Sequence, residues 1–468
     1  MAEETSNKNK QTKTGTSGTG KTGRKSSSAK KTSNVRKNSG ADKASKTEKA
    51  SGKKRTKKQP EKELAFTGMR SRRDSAESAG DRYPADSAVY KKVDSGSGKR
   101  KKTKKAIMLR LKRFRILMMI VWGMALFLIF LSRVSGDFSE WYASHIYPLL
   151  VGSLGRIFSL FPVSIVEIGL YAGILWIIWR IVTAIRQVLQ KKRHLKEVGI
   201  SGIYVTALLC GCLLLVFTLL GGINYQRRTF VETAGLSVNA SEREELVAFL
   251  ELAAGEINAA AAEMQTDEEG RSQVSEDLRK LAVSSMGLLG DEFESLGGYY
   301  PNPKPILISD ILSYQKVTGV YSPFTAEANY NPAIPDYELP HTLCHELAHL
   351  KGFMREEEAN FISWLACTRS QTPEFRYSGW LVAFVYAGND LGRYDSSAYM
   401  EIRSTLCETA INDLGYGSQF WKQFDGPVAE THNKVNDIYL KANSQSDGVE
   451  SYGRVVELML AYIRNKDS

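Results

Sequence analysis

Three long apolar stretches constrain this 468-residue chain more than any other feature. They run over about 116–134, 161–180 and 199–223, each near the roughly 20 residues that carry a helix across a bilayer. The first is uncharged as far as Ser132, the second holds one acid, Glu167, before Arg180, and the third is uncharged. Their apolar character runs all round the helix, which argues against three buried faces of a soluble core. They are read as three transmembrane helices. The first lies too deep in the chain for a cleaved signal peptide.

Charge divides the chain on either side of these spans. Residues 1–115 carry 35 Lys and Arg against 11 Asp and Glu, a net +24, leaving 28 against 40, a net −12, for the remainder. The arm over 1–105 is rich in Lys, Ser, Thr and Gly and poor in large apolar residues. Such a composition cannot bury enough surface to offset its ordering entropy, so the arm reads as disordered. Its lysines lack interleaved aromatics or a nucleic-acid motif, so no nucleic-acid partner is expected and an anionic bilayer surface is. Arg180, Arg186, Lys191, Lys192, Arg193 and Lys196 lie between spans two and three. The positive-inside rule then makes the arm and this loop cytoplasmic. The loop 135–160, with Trp141, Tyr142 and Tyr147 as interface anchors, and everything after span three face outside. Arg227 and Arg228 argue the other way but are outnumbered. Three regions follow: a cytoplasmic arm over 1–105, a membrane region over 106–223, and an extracytoplasmic domain over 224–468 in a multi-pass protein of the cell membrane.

The domain reads as mainly helical. Ser241 to Glu244 form a capping-box pattern opening an alanine-rich helix to about Met264, and a second helix is expected over 275–289. Between Pro303 and Asn331 the residues turn β-branched and aromatic, so Ile306-Leu307-Ile308 and the run 317–329 are expected as short strands. Helical segments are expected again near 379–388, 396–413, 417–442 and 451–465. The cysteines form no framework: Cys210 and Cys212 fall in span three, and Cys344, Cys367 and Cys407 read as small buried hydrophobes, with a disulfide between two of those three left open. Glu167, in span two, is a functional candidate by type, but near the outer end it can simply reach water.

The chemistry concentrates in His345-Glu346-Leu347-Ala348-His349. Histidines four apart project from one helix face about 40° apart, so both rings can reach one ion. Glu346 can then act as general base on a water at that ion. Pro340 suits the helix start, Leu343, Leu347 and Leu350 form its buried stripe, and Gly352 reads as its stop. A second helix begins near Arg355-Glu356-Glu357-Glu358-Ala359-Asn360, placing Glu356, Asn360, Ser363 and Cys367 on one face. Three protein ligands and one open position define a catalytic zinc site.

This arrangement resembles the gluzincin class of zinc metallopeptidases, in which a second helix with an E-x-x-A-D-like motif follows the HExxH helix. The resemblance makes Glu356 the third ligand beside His345 and His349, with Glu357 and Glu358 as fallbacks. Asn360 departs from the usual acid, though its amide oxygen can accept a histidine N–H and orient the ring. A metzincin would need a ligand at Arg355, which cannot bind metal. Most of 105–468 also resembles a bacterial family of three-span membrane proteins of unknown function with an extracytoplasmic HExxH domain. The residues that carry this are Gly222-Ile223-Asn224-Tyr225, Ser322-Pro323-Phe324-Thr325, the run HELAHLKGFMREEEAN, and Asn436 to Lys441 with 448–456.

The fold expected is thus mainly α with a small β-sheet, an α+β zincin-like catalytic domain after three transmembrane helices. The activity expected is peptide-bond hydrolysis with a Zn2+ cofactor, on an extracytoplasmic peptide or protein substrate, against the alternative of a non-hydrolytic envelope protein with a structural or vestigial zinc site. The strand over 320–329 is the candidate to hold substrate by edge pairing, and Glu327 could touch it, though a solvated strand residue is the blander reading. His432, Tyr439, Tyr452 and Arg454 are candidate oxyanion donors. His341 reads as a helix-start residue.

Overall fold

Local sequence decides where the membrane helices begin and end. A computed structural model of the protein describes residues 94–467 apart from Arg193, Ser444 and 446–453. Most of the basic arm, and Tyr452, therefore lie outside the described residues. Helix α1 covers Asp94–Val134. Helix α3, Ile165–Leu189, starts later than the apolar run because Pro162 precedes it and Ser164 caps it, accepting a bond from the Glu167 N–H (3.3 Å). Helix α4, Leu195–Phe217, continues through a π-helical turn (Thr218–Gly222) and a 3₁₀ turn (Ile223–Gln226). The stretches Leu111–Val134, Ile165–Leu189 and Leu195–Gln226 are long and apolar enough to cross a membrane, which fits a multi-pass membrane protein.

The segment joining the first two spans is not a surface loop. Helix Gly136–Trp141, a π-helical turn and helix α2, Tyr147–Phe158, follow in succession. Tyr142 and Tyr147, expected as interface anchors, are 4% and 1% exposed and belong to the core. Their hydroxyls explain the correction, since a buried phenol needs a partner. Tyr142 donates to the Leu219 carbonyl (2.7 Å), and Tyr147 donates to that of Leu350 (3.1 Å) and meets the Tyr321 hydroxyl (3.1 Å).

The body after the spans is helical around α5 (Arg243–Ala261), α6 (Leu278–Leu289), α8 (Leu339–Leu350), α9 (Glu356–Thr368), α10 (Pro373–Tyr394), α11 (Pro427–Ala442) and α12 (Val455–Asp467). The Leu343, Leu347 and Leu350 stripe is fully buried, as are Phe361, Phe375 and Phe384. Burying each such side chain stabilises by about 1.5–3 kcal/mol. All described residues belong to one compact unit, with no division at the end of the third span.

The sheet has three strands, β1 (Lys304–Pro305), β2 (Gly319–Ser322) and β3 (Glu327–Tyr330), in the order β1-β3-β2. Strand β1 runs parallel to β3 and β2 antiparallel to it, with Val320 opposite Asn329. Ile306-Leu307-Ile308 is not a strand. Pairing stops after Ile306, whose N–H reaches the Tyr330 carbonyl (3.0 Å), and helix α7, Ser309–Gln315, follows. The N–H groups of Leu307 and Ile308 instead bind the Glu167 carboxylate (2.8 and 3.0 Å). Glu167 thereby ties the start of α3 to the body.

Glu327 is likewise neither solvated nor free for substrate. It is 3% exposed, pairs with Lys304 (2.6 Å), and accepts the N–H groups of Ile165 and Val166 at the start of α3 (3.1 and 3.0 Å). A carboxylate on the first turn of a helix is favoured by the unpaired N–H groups there.

Candidate metal centre and its cleft

Both histidines project from a helix whose end is set by one glycine. Gly352, with φ +89°, adopts the left-handed conformation that ends α8. The turn brings the Phe353 carbonyl to His349 Nδ1 (2.8 Å), so Nδ1 donates and Nε2 faces the site. His345 and His349 lie edge to face with centroids 4.6 Å apart. Across the turn, Glu356 opens α9 and reaches both rings: Oε2 lies 3.3 Å from His345 Nε2, and Oε1 lies 3.8 Å from His349 Nε2. One ligand atom from each of His345, His349 and Glu356 lies within 4.8 Å of the other two. Two ring nitrogens and one carboxylate oxygen are a donor set suited to zinc.

The three consecutive glutamates separate by function. Glu358 points inward, where it accepts the Phe230 N–H (2.9 Å), and burial pushes its pKa up to about 7. Glu357 is also buried, and that burial raises its pKa. Glu356 alone of the three joins the histidines. Asn360, one turn on, interacts through its side chain with the His345 ring, and its carbonyl accepts from His341. His341 is buried beneath the pair, with Nε2 lacking a partner.

The electrostatics follow from burial. It takes His341 down to about 3 and His349 down to about 4. Burial lowers His345 too, but the Glu356 carboxylate outweighs it and the net shift is upward. Glu346 is 3% exposed and pushed up to about 8, chiefly by burial. Its carboxylate accepts the Tyr321 backbone N–H, and its Oε2 is buried without a partner. A buried carboxylate oxygen with no donor is costly unless something else meets it.

These residues line a cleft of about 790 Å³. Its walls are α8, edge strand β2, the end of α4 at Phe217 and Gly221, and the face of α11 bearing His432, Asn433, Asn436 and Tyr439. A Cβ at Gly319 would lie 2.5 Å from Glu346 Oε1, so the glycine leaves room for the Glu346 carboxylate where it stands. Of the candidate oxyanion donors, His432 and Tyr439 line the cleft. Arg454 is exposed and acts on Glu357 instead. Tyr386 also lines the cleft and feels the Glu356 charge, although no sequence spacing marks it. Strand β3, which holds 327–329 of the expected substrate strand, is central in the sheet, so within that expected run only the β2 residues lie on an edge. Cys344 and Cys367 touch across the two helices as free thiols, and all five cysteines are free.

The chain belongs to the DUF3810 family, described as proteins of unknown function, whose profile matches residues 142–460. The match begins at Tyr142, within the buried segment between the first two spans, and takes in the whole cleft. No curated protein and no solved structure matches the chain.

Proposed function

We propose that this DUF3810 member is a membrane-anchored zinc peptidase of gluzincin type, acting on extracytoplasmic peptides or proteins. The observation that carries the reading is the meeting of His345, His349 and Glu356 beside a buried Glu346 whose Oε2 has no partner. A structural zinc site closes four protein ligands around the ion, whereas this group has three and fronts a large cleft.

His345, His349 and Glu356 would hold the ion. A zinc bound there would supply Lewis-acid polarisation of a peptide carbonyl and of a water. Glu346 takes the proton from the attacking water and returns it to the departing amine. The Phe353 carbonyl keeps the His349 ring in register. Edge strand β2 receives an extended peptide through main-chain bonds. Tyr386, His432 and Tyr439 are the donors lining the cleft for the developing oxyanion.

Orientation rests on the lysines and arginines before span one and between spans two and three, which put the cleft outside the cytoplasm of a bacterial cell. Arg227 and Arg228, the contrary residues, are two against the many lysines and arginines of the arm and of the connection between spans two and three.

The test uses the full chain in detergent, because the segment between spans one and two is part of the core. Zinc content by mass spectrometry should be one per chain in wild type and in Glu346→Gln. Cleavage of a peptide library should fall by about 10²–10⁴-fold in that variant. Zinc retained with no Glu346-dependent cleavage would overturn the peptidase in favour of a zinc-binding envelope protein.

A further inference from the structure

The wall of the cleft nearest the spans is tied to them and carries exposed apolar side chains. Three contacts tie the body to the near ends of the three spanning helices. Arg133, at the end of α1, donates to the Ala442 carbonyl that closes α11 (2.9 Å). Glu167, in the first turn of α3, holds the N–H groups of Leu307 and Ile308. At the end of α4, the Phe217 ring packs edge-on against Tyr439 (6.3 Å), and the Tyr225 and Tyr439 hydroxyls meet at 3.0 Å. The C-terminal half of α11 and the start of α7 therefore sit level with the ends of the spans. The other end of α11 is joined to α7, since Tyr314 packs against Phe424 (5.2 Å) and Lys316 pairs with Asp425. Helix α11 is thus held to the spans at its C-terminal end and to α7 at its other end.

The surface of α11 divides into faces with different surroundings. Ala429 and Leu440 are buried in the body. His432, Asn433, Asn436 and Tyr439 line the cleft. Val428, Val435 and Ile438 form a separate apolar strip, 52%, 59% and 68% exposed. Three aliphatic residues recurring at i, i+7 and i+10, on a helix that also carries Glu430, Lys434, Asp437 and Lys441, make an amphipathic element of the kind that suits a membrane interface. Helix α7 and its lead-in present a matching strip, with Leu307, Ile308 and Ile311 at 61%, 46% and 50%. Leu307 and Ile308 are bound to Glu167 at the start of α3, and Ile438 is next to Tyr439, which packs on Phe217 at the end of α4, and that placement at the span ends selects lipid as the occupant over a protein partner.

We infer that α11 and the start of α7 lie in the leaflet on the body's side, with Val428, Val435, Ile438, Leu307, Ile308 and Ile311 among the acyl chains. The cleft then opens at the membrane surface and takes segments of polypeptides that are themselves tethered to the membrane. The lipid contact stands on the geometry alone; the substrate class rests on the peptidase reading.

The experiment uses the full chain in vesicles of phosphatidylethanolamine and phosphatidylglycerol carrying a phospholipid with a photoactivatable diazirine in its acyl chain. After irradiation and proteolysis, mass spectrometry should find lipid adducts on 427–439 and 307–311 as well as on the three spans. Adducts confined to the spans overturn the inference. A second arm compares an unstructured peptide, free or bearing an N-terminal palmitoyl chain, in wild type and in Val435→Asp/Ile438→Asp. Both positions are exposed, so the charges leave the core intact. The kcat/KM for the palmitoylated peptide should fall about tenfold or more, the worth of one aliphatic side chain withdrawn from an apolar phase, with the free peptide unchanged. Equal effects on both peptides, or on neither, overturn the substrate class. If wild type cleaves neither peptide, the peptidase reading falls, and the adduct map alone decides the lipid contact.

Discussion

Two buried acidic clusters lie in this molecule, and their contrast separates architecture from chemistry. At the start of α3, Glu327 meets the Lys304 ammonium and two backbone N–H groups, while Lys304 also donates to the Phe158 and Val163 carbonyls (2.8 and 3.1 Å). Glu167, in the same first turn, is satisfied by Leu307, Ile308 and the Tyr171 hydroxyl. Every strong donor there has an acceptor, as expected of a device that holds a helix against the body. In the cleft, Glu346 Oε2 and His341 Nε2 are buried without partners, and Glu356 opposes two imidazoles. Polar groups held out of water with unmet capacity mark a place prepared for something else.

Several measurements can break or sharpen that contrast, the largest effect first. Glu356→Ala should reduce bound zinc to a small fraction of wild type and abolish cleavage, whereas Glu357→Ala should leave the zinc content unchanged; metal analysis after dialysis reads both. Retention of zinc in Glu356→Ala would show that the ligand trio is misassigned. Glu327→Ala should destabilise the body by about 3–5 kcal/mol, because it leaves the Lys304 charge buried and unpaired. Thermal unfolding of the full chain in detergent measures it, and the zinc stoichiometry of the folded fraction should not change. Gly319→Ala should spare zinc binding but cut kcat by about 10²-fold, since the added methyl displaces the Glu346 carboxylate. Arg228→Ala, which removes an ion pair whose side chains are 61% and 89% exposed, should change stability by less than about 1 kcal/mol.

What could be read in advance was local. The spans are legible because apolar runs of that length have one common fate in water and lipid. The helix of the two histidines is legible because i, i+4 spacing, its leucine stripe and its terminal glycine are all set within fourteen residues, from Leu339 to Gly352. The helices over 243–261 and 278–289 lie within the stretches expected to be helical, but the cap is Glu242 rather than Ser241, with the Glu242 N–H bound by Glu245 (3.0 Å), and the second helix begins at Leu278 rather than Ser275. The failures share one cause. Tyr142 and Tyr147 resemble interface anchors until Leu219, Leu350 and Tyr321 arrive from distant parts of the chain. Ile306 to Ile308 has the composition of a strand, but Glu167, about 140 positions earlier, takes the N–H groups that a strand would use. Tyr386 entered the cleft without any motif, because α10 brings it there only by packing.

The sequence by itself determined that three helices are long and apolar enough to cross a membrane and that His345 and His349 share one helical face, with Glu346 next to the first of them. Those properties depend on composition and on the 3.6-residue period, both of which are local. Only the tertiary structure decided which of three adjacent glutamates meets the histidines. Successive positions on a helix point about 100° apart, and the turn at Gly352 aims Glu356 at the rings while Glu358 is turned into the core.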